Sequence, residues 1–170
     1  MTCHVAKSCR NDQHSIKYSM ENRLDAKPDK ALEGGDYVLD EQVGFVLRQV
    51  QQRHSTLFAE VFDNDLTPTQ WAVLAKLGEI GECSQNLLGR YTAMDVATIK
   101  GVVQRLFERG LLARRADPGD RRQLLISMAP EGAALFQAHL AHATRVTEAT
   151  LSPLNAAERQ RLLTLLKRLR

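Results

Sequence analysis

Apolar side chains recur at spacings of three and four residues from Leu39 to Val61, and this periodicity predicts one face of a long amphipathic helix. The stripe ends before the polar run Asp63–Asp65, and one histidine, His54, falls on it. Residues 1–36 are instead polar and aperiodic, and their six basic and six acidic side chains cancel. The pattern therefore predicts a flexible tail over residues 1–36 and a folded domain over residues 37–170.

Capping residues indicate where the remaining helices begin. Thr67 can cap a helix, Pro68 suits its first position, and Gln70 completes a capping box. The fourth predicted helix stops at Gly110, because glycine is a common C-terminal signal. The predicted starts of the second to sixth helices are Thr67, Ser84, Asp95, Pro130 and Asn155.

Two short apolar segments, LLARR and QLLISM, follow the fourth helix and flank the turn sequence ADPGD. Proline and glycine favour a tight reversal there, so the segments predict a β-hairpin. A hairpin after two short helices joined by a tight turn is the arrangement of a winged helix-turn-helix. The predicted fold is therefore mainly α with a small β component (α+β), the alternative being a generic α+β domain.

Positive charge is concentrated around this hairpin, although the net charge of the chain is only +3. Residues 84–128 carry eight basic and four acidic side chains, a local excess of +4. Localised basicity of this kind indicates a phosphate-binding surface. Because the chain has neither a long apolar run nor a signal-peptide pattern, we expect a cytoplasmic protein with no membrane partner.

Motifs of common enzyme classes do not occur in the sequence: it has no phosphate loop, nucleophile elbow, HExxH or CxxC pair. We therefore expect a protein that is not an enzyme and needs no cofactor. His139 and His142 stand one turn apart but lack a clear third ligand, so no metal site is predicted. Cys83 leaves open the alternative of a redox-responsive regulator, against the simpler interpretation of a buried thiol. An architectural module without a base-reading helix is a further alternative.

The segments LTPTQWAVLAKL and MDVATIKGVVQRLFERGLLARRADPGDRRQLLISMAPEG resemble the second helix, the recognition helix and the wing of the MarR family of bacterial transcriptional regulators. The likeness covers roughly residues 39–170, and the wing, with Asp117, Asp120, Arg121 and Arg122, is its most specific part. The resemblance implies a winged helix-turn-helix at about 67–128 and long dimerisation helices at about 39–62 and 130–170. It also implies a homodimer on a pseudo-palindromic operator in double-stranded DNA.

The recognition helix carries outward side chains that can contact DNA. Thr98 and Gln104 can hydrogen-bond base edges, and Ala97 can touch a thymine methyl group. Gly101 stands where the family usually has a larger residue, which weakens the helix by roughly 1 kcal/mol. It either permits close approach to DNA or is a tolerated surface glycine. The full set of DNA-binding candidates is Ser84, Ala97, Thr98, Lys100, Gly101, Gln104, Arg105, Arg114, Arg121 and Arg122.

The arginine pairs on the hairpin suggest how the wing binds. An arginine at the tip can enter a narrow minor groove, where the negative potential is strongest. Asp117 and Asp120 are expected to hold guanidinium groups by bidentate pairing rather than to touch DNA. The resemblance makes Arg121 and Arg122 the best candidates for groove and phosphate contacts, with one of them paired to an aspartate.

Regulators of this family commonly bind a small aromatic anion between the dimerisation helices and the DNA-binding lobe. The resemblance makes Arg48, Gln51, His54 and Trp71 the effector-binding candidates, with His54 as a donor to a carboxylate and Trp71 as a stacking wall. The competing interpretation is that His54 is an interface histidine and Trp71 a core side chain. The run LDEQVGFVLRQVQQRHSTLF also resembles repressors of nicotinic acid catabolism. That likeness implies a repressor whose effector is nicotinate or 6-hydroxynicotinate.

Overall fold

The computed structural model of the protein describes residues 37–120 and 123–169. Contacts within the chain divide it into two compact units, Met1–Val38 and Leu39–Arg170. The fold described below is that of the second unit. The tail predicted over residues 1–36 lies outside the described residues, and so do Arg121 and Arg122. In the described part of the chain, no helix is both long and apolar enough to cross a lipid bilayer.

Helices dominate the described part of the chain, and the predicted fold class, mainly α with a small β component, is confirmed. The first helix begins at Val43 rather than near Leu39, because a 3-10 turn precedes it in which the Gln42 N–H donates to the Leu39 carbonyl at 3.0 Å. In chain order the elements are α1 (Val43–Val61), α2 (Pro68–Ile80), β1 (Cys83–Ser84), α3 (Gln85–Tyr91), α4 (Val96–Glu108), β2 (Leu112–Ala116), β3 (Leu124–Met128), α5 (Pro130–Thr150) and α6 (Ala156–Lys167).

Local hydrogen bonds explain where the helices begin and end. The Thr67 hydroxyl accepts from the Gln70 N–H at 3.2 Å, and the Gln70 side chain accepts from the Thr67 N–H at 2.9 Å. Asn155 forms the same reciprocal box at the start of α6. Gly81 follows the end of α2 with φ at 74°, a conformation that L side chains rarely adopt. The predicted capping box of Thr67 and Gln70 and the predicted start of the last helix at Asn155 are therefore confirmed.

The sheet has three antiparallel strands in the order β1-β3-β2. On β3, Leu125 pairs with Ser84 of β1 on one side and with Arg115 of β2 on the other. The sequence predicted only the hairpin of β2 and β3, because two residues are too few to show strand alternation. The pairing of β1 ties the start of α3 to the wing.

The core lies where the end of α1, α2, α3, α4 and the sheet meet. It also includes the wing root, by which we mean Leu111 and the start of β2. There the backbone of Gly132 in α5 packs against the carbonyl oxygen of Leu111. A Cβ atom on residue 132 would fall 2.0 Å from that oxygen, so α5 and the wing root are in direct contact. The largest fully buried side chains are those of Phe62, Leu74, Leu88, Ile99, Leu106 and Ile126.

Apolar surface remains uncovered on the first part of α1 and on α6. No residue of α6 is buried, and in α1 only Phe58 is. Contiguous apolar surface of this kind usually marks an interaction site. The large exposed apolar side chains in this region are Val43, Val46, Leu47 and Val50 of α1 and Leu163, Leu165, Leu166 and Leu169 at the C-terminus.

Candidate DNA-binding surface and effector site

Helix α4 has one buried face and a fixed N-terminus. Its apolar face is formed by Ile99, Val102, Val103 and Leu106, all of which are buried. At the N-cap, Asp95 accepts from the backbone N–H of Thr98 at 2.8 Å and from its hydroxyl at 2.8 Å. These bonds, the backbone one foremost, lower the pKa of Asp95 from its ordinary value of 3.8. The helix therefore presents its polar face in a defined orientation.

The outward face of α4 carries the predicted DNA-binding residues. Ala97, Lys100, Gln104 and Arg105 are exposed, so all four are accessible to DNA. The hydroxyl of Thr98 donates to Asp95, so it can accept a hydrogen bond from a base but has no proton left to give. Of the two hydrogen-bond roles open to the Thr98 hydroxyl at a base edge, only that of acceptor therefore remains.

Two other candidates on the helix-turn-helix have partners within the chain. The Gln104 amide donates to Glu108 at 2.7 Å and would have to leave that carboxylate to donate to a base. The Ser84 hydroxyl accepts from the Leu87 N–H at 3.4 Å as the cap of α3, and its own proton can still be donated. Both remain predictions as DNA contacts.

The first arginine pair of the wing, on β2, is held by two different partners. Arg114 lies over the ring of Phe107, with its Cζ atom 3.9 Å from the ring centroid. Arg115 forms a bidentate pair with Glu82, whose hydrogen bond is the main cause of a raised Arg115 pKa. Glu82 and Arg115 were not identified from the sequence, because they are 33 residues apart and meet only where β1 and β2 flank β3.

The wing tip is closed through the backbone. Asp117 accepts from the Gly119 N–H at 2.8 Å, and its own N–H donates to the Gln123 carbonyl at 3.0 Å. The Gln123 N–H then donates to the Asp120 carbonyl at 2.8 Å. Asp117 therefore closes the turn by accepting from a backbone amide, which is a different contact from the guanidinium pairing predicted for it. Pairing of either aspartate with Arg121 or Arg122 lies outside the described residues and stays a prediction.

His54 faces the end of α5. Its Nδ1 atom is 2.9 Å from the Thr150 hydroxyl oxygen, and that hydroxyl donates to the Val146 carbonyl at 2.8 Å. Because a hydroxyl has one proton, Thr150 must accept from His54, so the proton of a neutral imidazole sits on Nδ1. The Nε2 atom is then an acceptor in the neutral ring and a donor to a carboxylate in the charged ring.

The neighbours of His54 on α1 provide positive charge and polar contacts. Arg48 and Gln51 are exposed, and the Gln51 amide donates to the Ser55 hydroxyl at 3.2 Å. Arg53, which the sequence analysis did not single out, donates to the carbonyls of Thr150 at 2.6 Å and Ala149 at 3.0 Å. A cation at these C-terminal carbonyls is favourable and holds the end of α5 against α1.

Trp71 lies in an aromatic cluster away from His54. It stacks on Phe136 with centroids 5.4 Å apart and meets the edge of Phe62 at 5.3 Å. The partner of His54, Thr150, follows Phe136 by about 21 Å along α5, at about 1.5 Å per residue. Phe62 likewise follows His54 by about 12 Å along α1. The structure therefore does not bring His54 and Trp71 together within a protomer, and Trp71 is better described as a core-edge residue.

The environment of Cys83 bears on the redox alternative. Cys83 is 6% exposed, and burial, with a smaller contribution from Glu82, raises the pKa of its thiol. Because the thiolate is the reactive form, both effects disfavour a redox role.

The ring centroids of His139 and His142 lie 5.1 Å apart. Among the described residues, however, no group of three or more His, Cys, Asp or Glu side chains could hold a metal ion.

Comparison with known proteins gives the evolutionary context of this architecture. A model of the MarR family matches residues 64–123, from the turn before α2 to the wing. The HTH-type transcriptional repressor NicR of Pseudomonas putida is 40% identical over 139 residues, covering 81% of this chain and 88% of that protein. The chain belongs to the MarR family. It is thus a transcriptional regulator with the winged-helix fold of that family, and the resemblance identified from the sequence is confirmed.

Two solved structures agree in fold with this one. A probable transcriptional regulator from Pseudomonas aeruginosa is 55% identical, with a TM-score of 0.77, covering 78% of this chain and all 100% of that one. Bordetella bronchiseptica BpsR, described with a mechanism for regulation of its DNA binding by 6-hydroxynicotinic acid, is 40% identical. Its TM-score is 0.77, with 79% of this chain and 97% of that chain covered. The relatives are transcriptional regulators, not enzymes.

Proposed function

We propose that the protein is a homodimeric repressor that binds a pseudo-palindromic operator and is released when a small aromatic carboxylate binds beside His54. The observation that carries the proposal is the accessible polar face of α4 next to a wing braced by Arg115 and Glu82. The names of the relatives add support, since NicR is a repressor and BpsR responds to 6-hydroxynicotinic acid.

The uncovered apolar surface of α1 and α6 supports the dimer. Leu166 is 38% and Leu163 is 41% exposed, on a helix with no buried residue. A helix of twelve residues is marginal alone in water, so α6 is expected to gain its stability from packing. A second copy supplies that packing and sets two recognition helices at a spacing that matches successive major grooves.

The dimer is tested by placing a charge on α6. Leu166→Asp is expected to give a monomer in analytical ultracentrifugation and to lose operator affinity. The matched control is Leu124→Asp, the same change at a leucine of the wing that is 49% exposed, which is expected to leave the dimer intact. A Leu166→Asp protein that sediments as the wild-type dimer contradicts this interface.

The wing is expected to contribute to operator affinity through Arg121 and Arg122, which directly follow Asp120 in the sequence. An arginine bound to phosphate releases counterions, so its loss reduces both affinity and the salt dependence of binding. We expect Arg122→Ala and Arg121→Ala to weaken operator binding over roughly 50–200 mM salt. Unchanged affinity and unchanged salt slope in both variants would count against a wing contact.

The effector chemistry follows from the tautomer of His54. With Nδ1–H donated to Thr150, a charged imidazole offers only Nε2–H to a ligand carboxylate, and Arg48 adds positive charge on the same helix. Burying a carboxylate without such a partner is unfavourable by several kcal/mol, on the order of 2–7 for a polar group and more for a charge. A hydroxylated pyridine carboxylate such as 6-hydroxynicotinate has the required charge and size.

The effector is tested by titrating nicotinate, 6-hydroxynicotinate and salicylate against the protein bound to DNA from upstream of its own gene. In fluorescence anisotropy, one acid should release the wild type, and His54→Ala should keep DNA affinity but lose this release. Thr150→Val should weaken release as well, because it removes the acceptor that orients the ring. His142→Asn is the control histidine and should respond as the wild type does. Wild-type release in His54→Ala would place the effector elsewhere.

A further inference from the structure

A chain of polar contacts links α5 to the end of the recognition helix α4 through Asp65, in the turn between α1 and α2. Arg109, the C-cap of α4, donates to the Asp65 carbonyl at 2.8 Å and to its carboxylate Oδ1 at 2.7 Å. The other carboxylate oxygen, Oδ2, lies 3.5 Å from Nε2 of His139 in α5. One carboxylate therefore stands between the recognition helix and α5.

The hydrogen-bond pattern of His139 makes its contact with Asp65 depend on protonation. Its Nδ1 atom is 3.0 Å from the Leu135 carbonyl, and a carbonyl only accepts, so Nδ1 carries a proton. In the neutral ring, Nε2 then presents a lone pair to a carboxylate oxygen, which is unfavourable. In the charged ring, Nε2–H faces the same oxygen and attracts it.

The surroundings of His139 contribute further charge and ring contacts. Its side chain is 14% exposed, and its ring stacks on Phe62 with centroids 5.2 Å apart and planes at 21°. A cation within about 6 Å of a ring centroid is attracted by the ring face. The ionisable groups at this junction are Asp65 from the loop, Arg109 from α4 and His142 from α5 itself. Arg109 opposes a charged His139, but Asp65 stands between them and accepts from Arg109 through its other oxygen.

We propose that His139, when its ring is protonated, links α5 to the recognition helix through Asp65 and Arg109. Operator binding then depends on pH. The charged ring holds Asp65 and, through it, the C-terminus of α4. This attraction is present at low pH and is lost as pH rises and the ring gives up its proton. Because a fixed α4 loses less freedom on binding, we expect operator affinity to increase on acidification. The inference rests on the proposed contact of α4 with operator DNA.

The experiment measures operator affinity of the full-length protein without effector, by fluorescence anisotropy, from about pH 8 to about pH 6. We expect the wild type to bind about fivefold more tightly at the acidic end, a modest coupling between sites. His139→Asn, which cannot titrate, and Asp65→Asn, which keeps the backbone carbonyl that binds Arg109, are expected to lose most of that increase. His142→Asn, at the neighbouring histidine, should retain it. Circular dichroism at each pH checks that each variant is folded.

A second readout needs no DNA. Hydrogen exchange at the end of α4 and at the start of β2, corrected for the intrinsic effect of pH, should show more protection at acidic pH in the wild type than in His139→Asn. Absence of this difference, or a wild-type pH response in His139→Asn, overturns the link. If the exchange difference is present but no pH allows specific operator binding, the proposed function fails while the protonation of the link stands.

Discussion

Replacing Gly101 by alanine tests two properties of the recognition helix at once. The three atoms nearest to a Cβ atom at this position belong to the Arg105 guanidinium, with Nη1 at 3.4 Å and Cζ and Nη2 at 3.9 Å. These atoms are the far end of an exposed, flexible side chain, so they can move aside. Alanine is more favourable than glycine inside a helix by about 0.8–1 kcal/mol. Because the Arg105 side chain can move, that gain should be kept, and Gly101→Ala should raise the melting temperature by about 3–5 °C.

The same substitution should weaken operator binding. Gly101 is half-buried and lies beside the exposed Lys100 and Gln104 of α4. Under the proposed contact of this helix with operator DNA, the absence of a side chain at residue 101 lets the DNA approach the backbone. An added methyl group at a close contact is unfavourable by about 1–3 kcal/mol, as in overpacked cores. This corresponds to a weakening of about fivefold to more than one hundredfold, since about 1.4 kcal/mol is tenfold.

The two effects are separated by measuring thermal unfolding and operator anisotropy on the same preparation. A melting temperature that does not rise would contradict the helix-propensity reasoning. A stabilised variant with unchanged operator affinity would mean that Gly101 is a tolerated surface glycine.

Three further outcomes follow from the structure. Gly132→Ala should destabilise the protein by about 1–3 kcal/mol or more in chemical denaturation, because its Cβ atom would fall 2.0 Å from the Leu111 carbonyl oxygen, which is backbone and cannot turn away; wild-type stability would show that α5 can shift at this contact. Asp95→Ala should lower stability near neutral pH, and its difference from the wild type should shrink as the pH falls below 3.8. The sign follows because Asp95 has a lowered pKa, so its contribution is present above the unfolded pKa and is lost as the folded form takes up a proton; a difference that does not change with pH would contradict this assignment. Cys83→Ala should leave the response of operator binding to peroxide as it is in the wild type, because the buried thiol has a raised pKa; loss of a wild-type response in this variant would restore the redox alternative.

Local chemistry in the sequence was enough to predict the helices, their caps and the hairpin. A capping box such as that of Thr67 and Gln70 is completed within three residues, so its residue types alone specify the geometry. Burial of one face of α4 follows in the same way from apolar spacing. The family resemblance rested on the same segments, which explains why it was identified correctly.

Contacts between distant residues were decided only by the tertiary structure. Arg115 meets Glu82 across 33 residues, Arg109 meets Asp65 across 44, and His54 meets Thr150 across 96. The spacing of apolar residues cannot predict such pairs. They depend on how α1 and α5 pack and on which strand pairs with the second edge of β3. The same packing separated His54 from Trp71, which the family resemblance had placed in one pocket. Spacing along the chain thus determined the elements, and packing determined which of their polar side chains act together.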